Sequence, residues 1–306
     1  MKATRQAYGE ALAEFGADTR IVVMDADLSK STMTAKFKEK YPERFVNAGI
    51  AEGNMMSAAA GIASCGKVVF ASTFAMFAAG RAFEQVRNSI CYPGLNVKIG
   101  ATHAGITVGE DGASHQAIED IAIMRAIPGM TVISPADAIE ARAAVKAAID
   151  TYGPFYLRFA RLASPIVYDD NYKFELGKGV LLREGTDVTL IATGLMVSKT
   201  LEAAEALAAD GISARVVNIH TIKPIDKEII INSAEKTKGI ITIEEHNVIG
   251  GLGSAVAEVL AESCPTRMKF IGVKDKFGKS GKPADLLKEY RLTPEAIAQE
   301  VKEFVR

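Results

Sequence analysis

Two stretches of this 306-residue chain gather side chains able to do chemistry. The first is the loop Thr102–His115, "THAGITVGEDGASH", which holds two of the four histidines, two acids and three glycines in fourteen residues. Histidine titrates near neutrality, so His103 and His115 could move protons. Gly105, Gly109 and Gly112 allow tight turns and a close approach of backbone to ligand. The second is "FVNAGIAEGNMMSAAAGIASCG", Phe45–Gly66, in which Glu52 is the only charged residue. A lone carboxyl among small apolar residues either caps the helix that follows or meets a ligand that needs an acid in a dry place. Two further features are weaker. Phe74 and Phe77 in "STFAMF" read as core aromatics or as a stacking pocket for a flat heteroaromatic ring. His103, Asp111 and His115 have no spacing of a known zinc or iron motif.

The elements that must position these groups follow from hydrophobic periodicity. "TRQAYGEALAEFG" reads as a helix, "RIVVMDADL" as a strand ending in acids, and "EGNMMSAAAGIASC" as a helix of small residues. The alternation continues through strand "KVVFAST", helix "RAFEQVRNSIC", strand "LNVKIGATH" and the loop above. Helix "HQAIEDIAIMRAI", strand "MTVISPAD", helix "AIEARAAVKAAID" and strand "GPFYLRFAR" complete the first half. A polar stretch rich in turn residues follows, and the alternation restarts at "DVTLIATG" and runs to "MKFIGV". The expected class is α/β with two domains, each a mostly parallel sheet covered by helices. The expected division is residues 1–165, a linker at 166–180, and residues 181–306. Ligands of such sheets bind at the carboxyl ends of strands. That rule points to Asp25 and Asp27, Thr73 and Phe74, the 103–115 loop, and Arg161.

Composition excludes several classes. A net charge of -1 gives no basis for a nucleic-acid or anionic-membrane partner. The start of the chain has no apolar signal-peptide core. Cys65, Cys91 and Cys264 form no CxxC pair, and read as reduced core residues of a cytoplasmic protein. Gly250, Gly251 and Gly253 do not follow the dinucleotide spacing, and no GxxxxGK[ST] or GxSxG string occurs.

The blocks "DADLSKST", "NAGIAEGNM", "STFAMF", "THAGITVGEDGASHQAIEDIAIMRAIPGMTVISPAD" and "EEHNVIGGLGSAV", in that order, resemble the C-terminal section of transketolase. The resemblance covers nearly the whole chain. It implies a thiamine-diphosphate pyrimidine-binding domain followed by a transketolase C-terminal domain. It implies that Glu52 hydrogen-bonds a ring nitrogen of the aminopyrimidine and favours the imino tautomer that deprotonates the thiazolium carbon. An apolar setting that raises a carboxyl pKa would suit that role. It implies that Phe74 and Phe77 pack on the pyrimidine. A third aromatic of the family is replaced by Gly80, which leaves Phe83 as the candidate to fill its place. Asp111 matches the acid that holds a donor-sugar hydroxyl, and His115 a histidine beside the reacting carbons. His103, Arg161, Ser31 and Arg5 match groups that hold the sugar phosphate, where two guanidinium forks suit its oxygens. Asp27 matches an acid near the cofactor at a subunit interface.

The resemblance also implies something missing. The family binds the diphosphate through Mg²⁺ with a GDG block followed by Asn, and no such block occurs here. The expectation is therefore an N-terminal-section transketolase subunit as partner, in a dimer of heterodimers, supplying the metal site. The activity implied is two-carbon transfer between sugar phosphates. Rival readings are a 2-oxoacid dehydrogenase beta subunit, a 1-deoxyxylulose-5-phosphate synthase-like enzyme, and a non-catalytic protein on the same fold.

Overall fold

A computed structural model describes residues 1–169 and 171–306. Two parallel-dominated sheets with helices on their faces form the chain. The larger has seven strands in the spatial order 221–223, 131–133, 155–158, 97–102, 68–74, 21–25 and 45–47. All its pairings are parallel except that of Thr221–Lys223 with Thr131–Ile133. The smaller has five, in the order 268–273, 240–247, 188–192, 214–218 and 180–183, the last antiparallel. The central strands of both are buried along their whole length, as apolar runs covered on two faces must be.

The second half of the chain lends a strand to the first sheet. Thr221–Lys223 lies beyond the turn-rich stretch, yet it forms the edge beside Thr131–Ile133. That stretch is itself tied down. Asp137 accepts hydrogen bonds from the N–H groups of Val167 and Tyr168, and Tyr172 donates to Glu140. One apolar cluster runs across both halves, from Met55, Met124 and Ile127 to Ile219, Ile222 and Val256.

Several local expectations change. The segment read as one helix, "RAFEQVRNSIC", begins on the last residue of a wide turn at Phe77–Arg81, passes through a short helical piece at Phe83–Gln85 and ends in a second wide turn at Val86–Cys91. Such wide turns often mark functional positions. The helix read from His115 starts only at Asp120, because the chain ahead of it is held in a bridge between Ala104 and Ala117. Helices Pro283–Glu289 and Pro294–Val305, absent from the sequence reading, close the second domain. Only Cys91 is a core cysteine. Cys65 is exposed because it ends the Glu52–Ser64 helix at the surface, and Cys264 is half-buried. No helix among the described residues is long and apolar enough to cross a membrane.

Candidate active site

The predicted residues converge at the carboxyl ends of the first sheet's strands. Arg5, Ser31, Phe74, His103, Asp111, His115 and Arg161 line one cleft of about 400 Å³. Each arrives on a different local device. Arg5 is the second residue of the Thr4–Phe15 helix, whose start is tied to the chain just past the Phe155–Arg158 strand by a bond from the Ala160 N–H to Thr4 Oγ1, 2.8 Å. Arg5 Nη1 then donates to the Ser31 carbonyl at 2.6 Å. Ser31 sits in a turn organised by buried Asp25, which accepts from the Leu28 N–H and from the hydroxyls of Thr32 and Thr34. Phe74 ends its strand, and His103 follows the Val97–Thr102 strand.

The rings form a continuous stack. The His103 ring lies 3.9 Å from that of Phe74, Phe74 lies 5.8 Å from Phe77 at 21° between planes, and His115 meets Phe77 edge-on at 5.3 Å. His103 adopts φ 57° and Asp27 φ 64°, left-handed conformations that non-glycine residues seldom take and that concentrate at functional sites.

The cleft's charges are unevenly paired. Burial, and then Arg161, hold the Arg5 guanidinium below its ordinary value. Burial, with Arg5, Arg161 and His115 adding to it, pushes His103 down to about 3. His103 is therefore neutral at physiological pH, with Nδ1 bonded to Thr102 Oγ1 at 2.9 Å. Arg161 reaches the Val108 carbonyl and Asp111 Oδ2, the latter at 3.3 Å. Arg161 has Glu110 Oε2 at 3.9 Å as well as Asp111, whereas Arg5 meets no carboxylate among the described residues, an arrangement that leaves one guanidinium open to a bound anion.

Glu52 and Phe77 adjoin the cleft without lining it, and Asp27 stands apart. Asp27 is exposed and accepts a hydrogen bond from Asn47 Nδ2 at 2.9 Å. Glu52 occupies the first position of its helix, 5% exposed, and its side chain caps no backbone N–H. Its carboxyl instead accepts from Arg81 Nη1 at 3.2 Å. The setting is thus not purely apolar, as the sequence suggested. Arg81 also covers Phe77, its guanidinium carbon 3.9 Å from the ring centroid. Phe83, expected to fill the missing aromatic's place, is 36% exposed and stacks on no ring among the described residues. Arg81 holds that flank. The sequence concealed it, because an arginine in a helix-like run reads as a solvated charge. Nor do three acidic, histidine or cysteine side chains among the described residues gather as a metal site.

Residues 1–166 match the family "Transketolase, pyrimidine binding domain", and residues 177–297 match "Transketolase, C-terminal domain". A Methanocaldococcus jannaschii protein, provisionally named a transketolase C-terminal section, is 52% identical over 306 residues, covering 99% of this chain and 96% of that protein. Human transketolase is 40% identical over 305 residues, which span 98% of this chain and 48% of the human one. A solved structure described as "Split gene transketolase, inactive beta4 tetramer" superposes with a TM-score of 0.93 at 55% identity, covering 99% of this chain and 98% of that one. A two-domain α/β chain with its cleft at the strand ends is the class that fold and site define. The chain belongs to the transketolase family and carries its pyrimidine-binding and C-terminal domains.

Proposed function

We propose that this chain is the C-terminal-section subunit of a split transketolase. With an N-terminal-section partner it moves a two-carbon ketol unit from a ketose phosphate to an aldose phosphate, in the cytoplasm. Thiamine diphosphate is the cofactor, held here by its pyrimidine end, while the partner holds most of the diphosphate and Mg²⁺. When bound, the cofactor supplies the electron sink for the migrating carbons.

The observation that carries the reading is the cleft itself. Arg5 and Arg161 flank a neutral His103, and Asp111 and His115 stand beside the Phe74–Phe77 pair. Among the described residues Arg5 Nε is buried with no hydrogen-bond partner, so a ligand with acceptor oxygens in the cleft would satisfy a group the fold leaves open. Arg5 and Arg161 bind and orient the terminal phosphate. Asp111 orients a sugar hydroxyl, and His115 moves a proton near the reacting carbons. Phe74 and Phe77 offer ring surface to the pyrimidine, that of Phe77 once Arg81 moves off it, and the rings exclude water from it. Glu52 shares a proton with the pyrimidine ring nitrogen once Arg81 yields its place.

Two relatives support division of the activity between chains. The structure at TM-score 0.93 is described as an inactive tetramer of beta chains. A Clostridium protein, 44% identical and 92% covered, is named a subunit of a 6-deoxy-6-sulfo-D-fructose transketolase. That second name favours one alternative for the anion, a sulfonate in place of the phosphate. The test is to purify this chain with its partner and measure two-carbon transfer with thiamine diphosphate and Mg²⁺, offering phosphorylated and sulfonated ketoses in parallel. Transfer should require both chains. Full activity of this chain alone, or none with either donor class in the assembled complex, refutes the reading.

A further inference from the structure

The substrate-side loop is bonded to its own domain, the Ala104 N–H to the Phe159 carbonyl and the Gly105 N–H to that of Ala117. It rests on the second domain as well. Glu245, at the carboxyl end of the Ile240–Asn247 strand, is 3% exposed, and its Oε1 accepts the Thr107 N–H at 2.6 Å. The fit is close. A Cβ placed on Gly105, which has φ 84°, would lie 2.3 Å from the Glu245 carboxyl carbon. Only glycine fits at that position. Gln116 closes the other end of the loop. Its Nε2 donates to the carbonyls of Ile106 at 3.1 Å, Gly109 at 3.3 Å and Lys279 at 2.9 Å, the last in the second domain. At the tip, Gly112 lies so close to Ser280 that a Cβ there would be 2.4 Å from its hydroxyl. Beneath the loop, Arg158 joins the parts. Its Nη2 donates to the carbonyls of Ala117 and Glu245, and its Nε donates to Asp120 at 2.8 Å.

The loop's far side is the chemistry. Val108 and Asp111 both contact Arg161, and Asp111 opens onto the cleft. A shift of Thr107 therefore moves the acceptor that holds Arg161 and the carboxylate beside it. We propose that Glu245 and Gln116 are positioning residues, through which the C-terminal domain sets the loop that presents Asp111 and orients Arg161. The second domain then contributes to donor binding with none of its described side chains lining the cleft. The kinetic side of this inference rests on the transketolase reading above.

The test has two arms. Glu245→Ala, Glu245→Gln and Gln116→Leu are made in the full chain. Amide hydrogen exchange is followed on the chain alone, and kinetics on the complex with its partner. Glu245→Ala should speed exchange at residues 105–112 by about tenfold. Exchange in the Val68–Phe74 strand should stay unchanged. Glu245→Gln, which keeps an acceptor oxygen, should restore most of the protection. Gln116→Leu, close in volume and without the amide N–H groups shared among those three carbonyls, should loosen the same segment and serves if Glu245→Ala does not fold. In the complex, KM for the donor should rise by about tenfold with kcat within threefold and the cofactor's KM unchanged. Unchanged loop protection overturns the proposal, and so does exchange that rises equally throughout both domains. If the wild-type complex transfers no two-carbon unit, the functional reading fails, and the exchange arm still decides the positioning role.

Discussion

Replacing Glu52 by Gln separates two roles that this carboxyl could have. Among the described residues its one side-chain partner is Arg81, at 3.2 Å, and the Arg81 side chain is 54% exposed. A pair with one partner that open to solvent contributes under ~1 kcal/mol. Gln keeps an oxygen that can accept from Arg81, so the fold should lose less still. A loss of 1 kcal/mol moves a melting midpoint by about 2–4 °C in a domain of this size. If Glu52 shares a proton with the pyrimidine, the rate should instead fall by about a hundredfold or more. That equals ~3 kcal/mol in the barrier, several times the stability effect. The assay is kcat for two-carbon transfer in the reconstituted complex, beside a thermal melt of the isolated chain. A rate within threefold of wild type refutes the acid-base role. A melt lowered by ten degrees or more would instead make Glu52 a structural residue and sink the reasoning from Arg81's exposure.

Three further outcomes follow from the same geometry. Arg5→Met and Arg161→Met should each raise KM for a phosphorylated donor by roughly 10- to 100-fold, the scale of a lost charge-assisted hydrogen bond, with little change for a donor lacking the anion; equal loss for both donors argues against a phosphate site. Burial pushes the Glu140 carboxyl up to about 7, so the folded state binds its proton more tightly than the unfolded one. Wild type should therefore lose stability relative to Glu140→Gln as pH rises from about 4.5 to about 7, by up to ~3 kcal/mol, and the gap should stay constant above that; a stability difference flat across this window in paired melts refutes the assignment. A fragment cut after residue 165 lacks the Thr221–Lys223 strand and bares the edge at Thr131–Ile133. It should aggregate on gel filtration, whereas a monodisperse, cooperatively melting fragment would show the borrowed strand to be dispensable.

Part of the site was legible from local chemistry, while Arg5, Ser31 and the roles of the site residues came from the family resemblance. Apolar runs ending in acids, histidines or phenylalanines located the strand ends, and the sheet then brought His103, Phe74 and Arg161 into one cleft. Glycines flagged the 103–115 loop. What stayed hidden depends on pairings between distant residues. Arg81 meets Glu52 across 29 positions, and Glu245 meets Thr107 across 138. No window of sequence contains both partners. Thr221–Lys223 is three residues long and pairs antiparallel, so neither length nor alternation set it apart from a turn. The wide turns at Phe77–Arg81 kept helical spacing in the sequence while turning Arg81 toward the acid.

The borrowed edge strand also bears on how such a chain can be inherited. A genetic crossover anywhere between residues 166 and 220 would hand one descendant a sheet with an open margin and the other a strand with nothing to join. The two domains look separable on a map of the chain. If the fragment cut after residue 165 proves unable to fold, the two domains form one cassette at the level of the gene, and a viable breakpoint falls outside it.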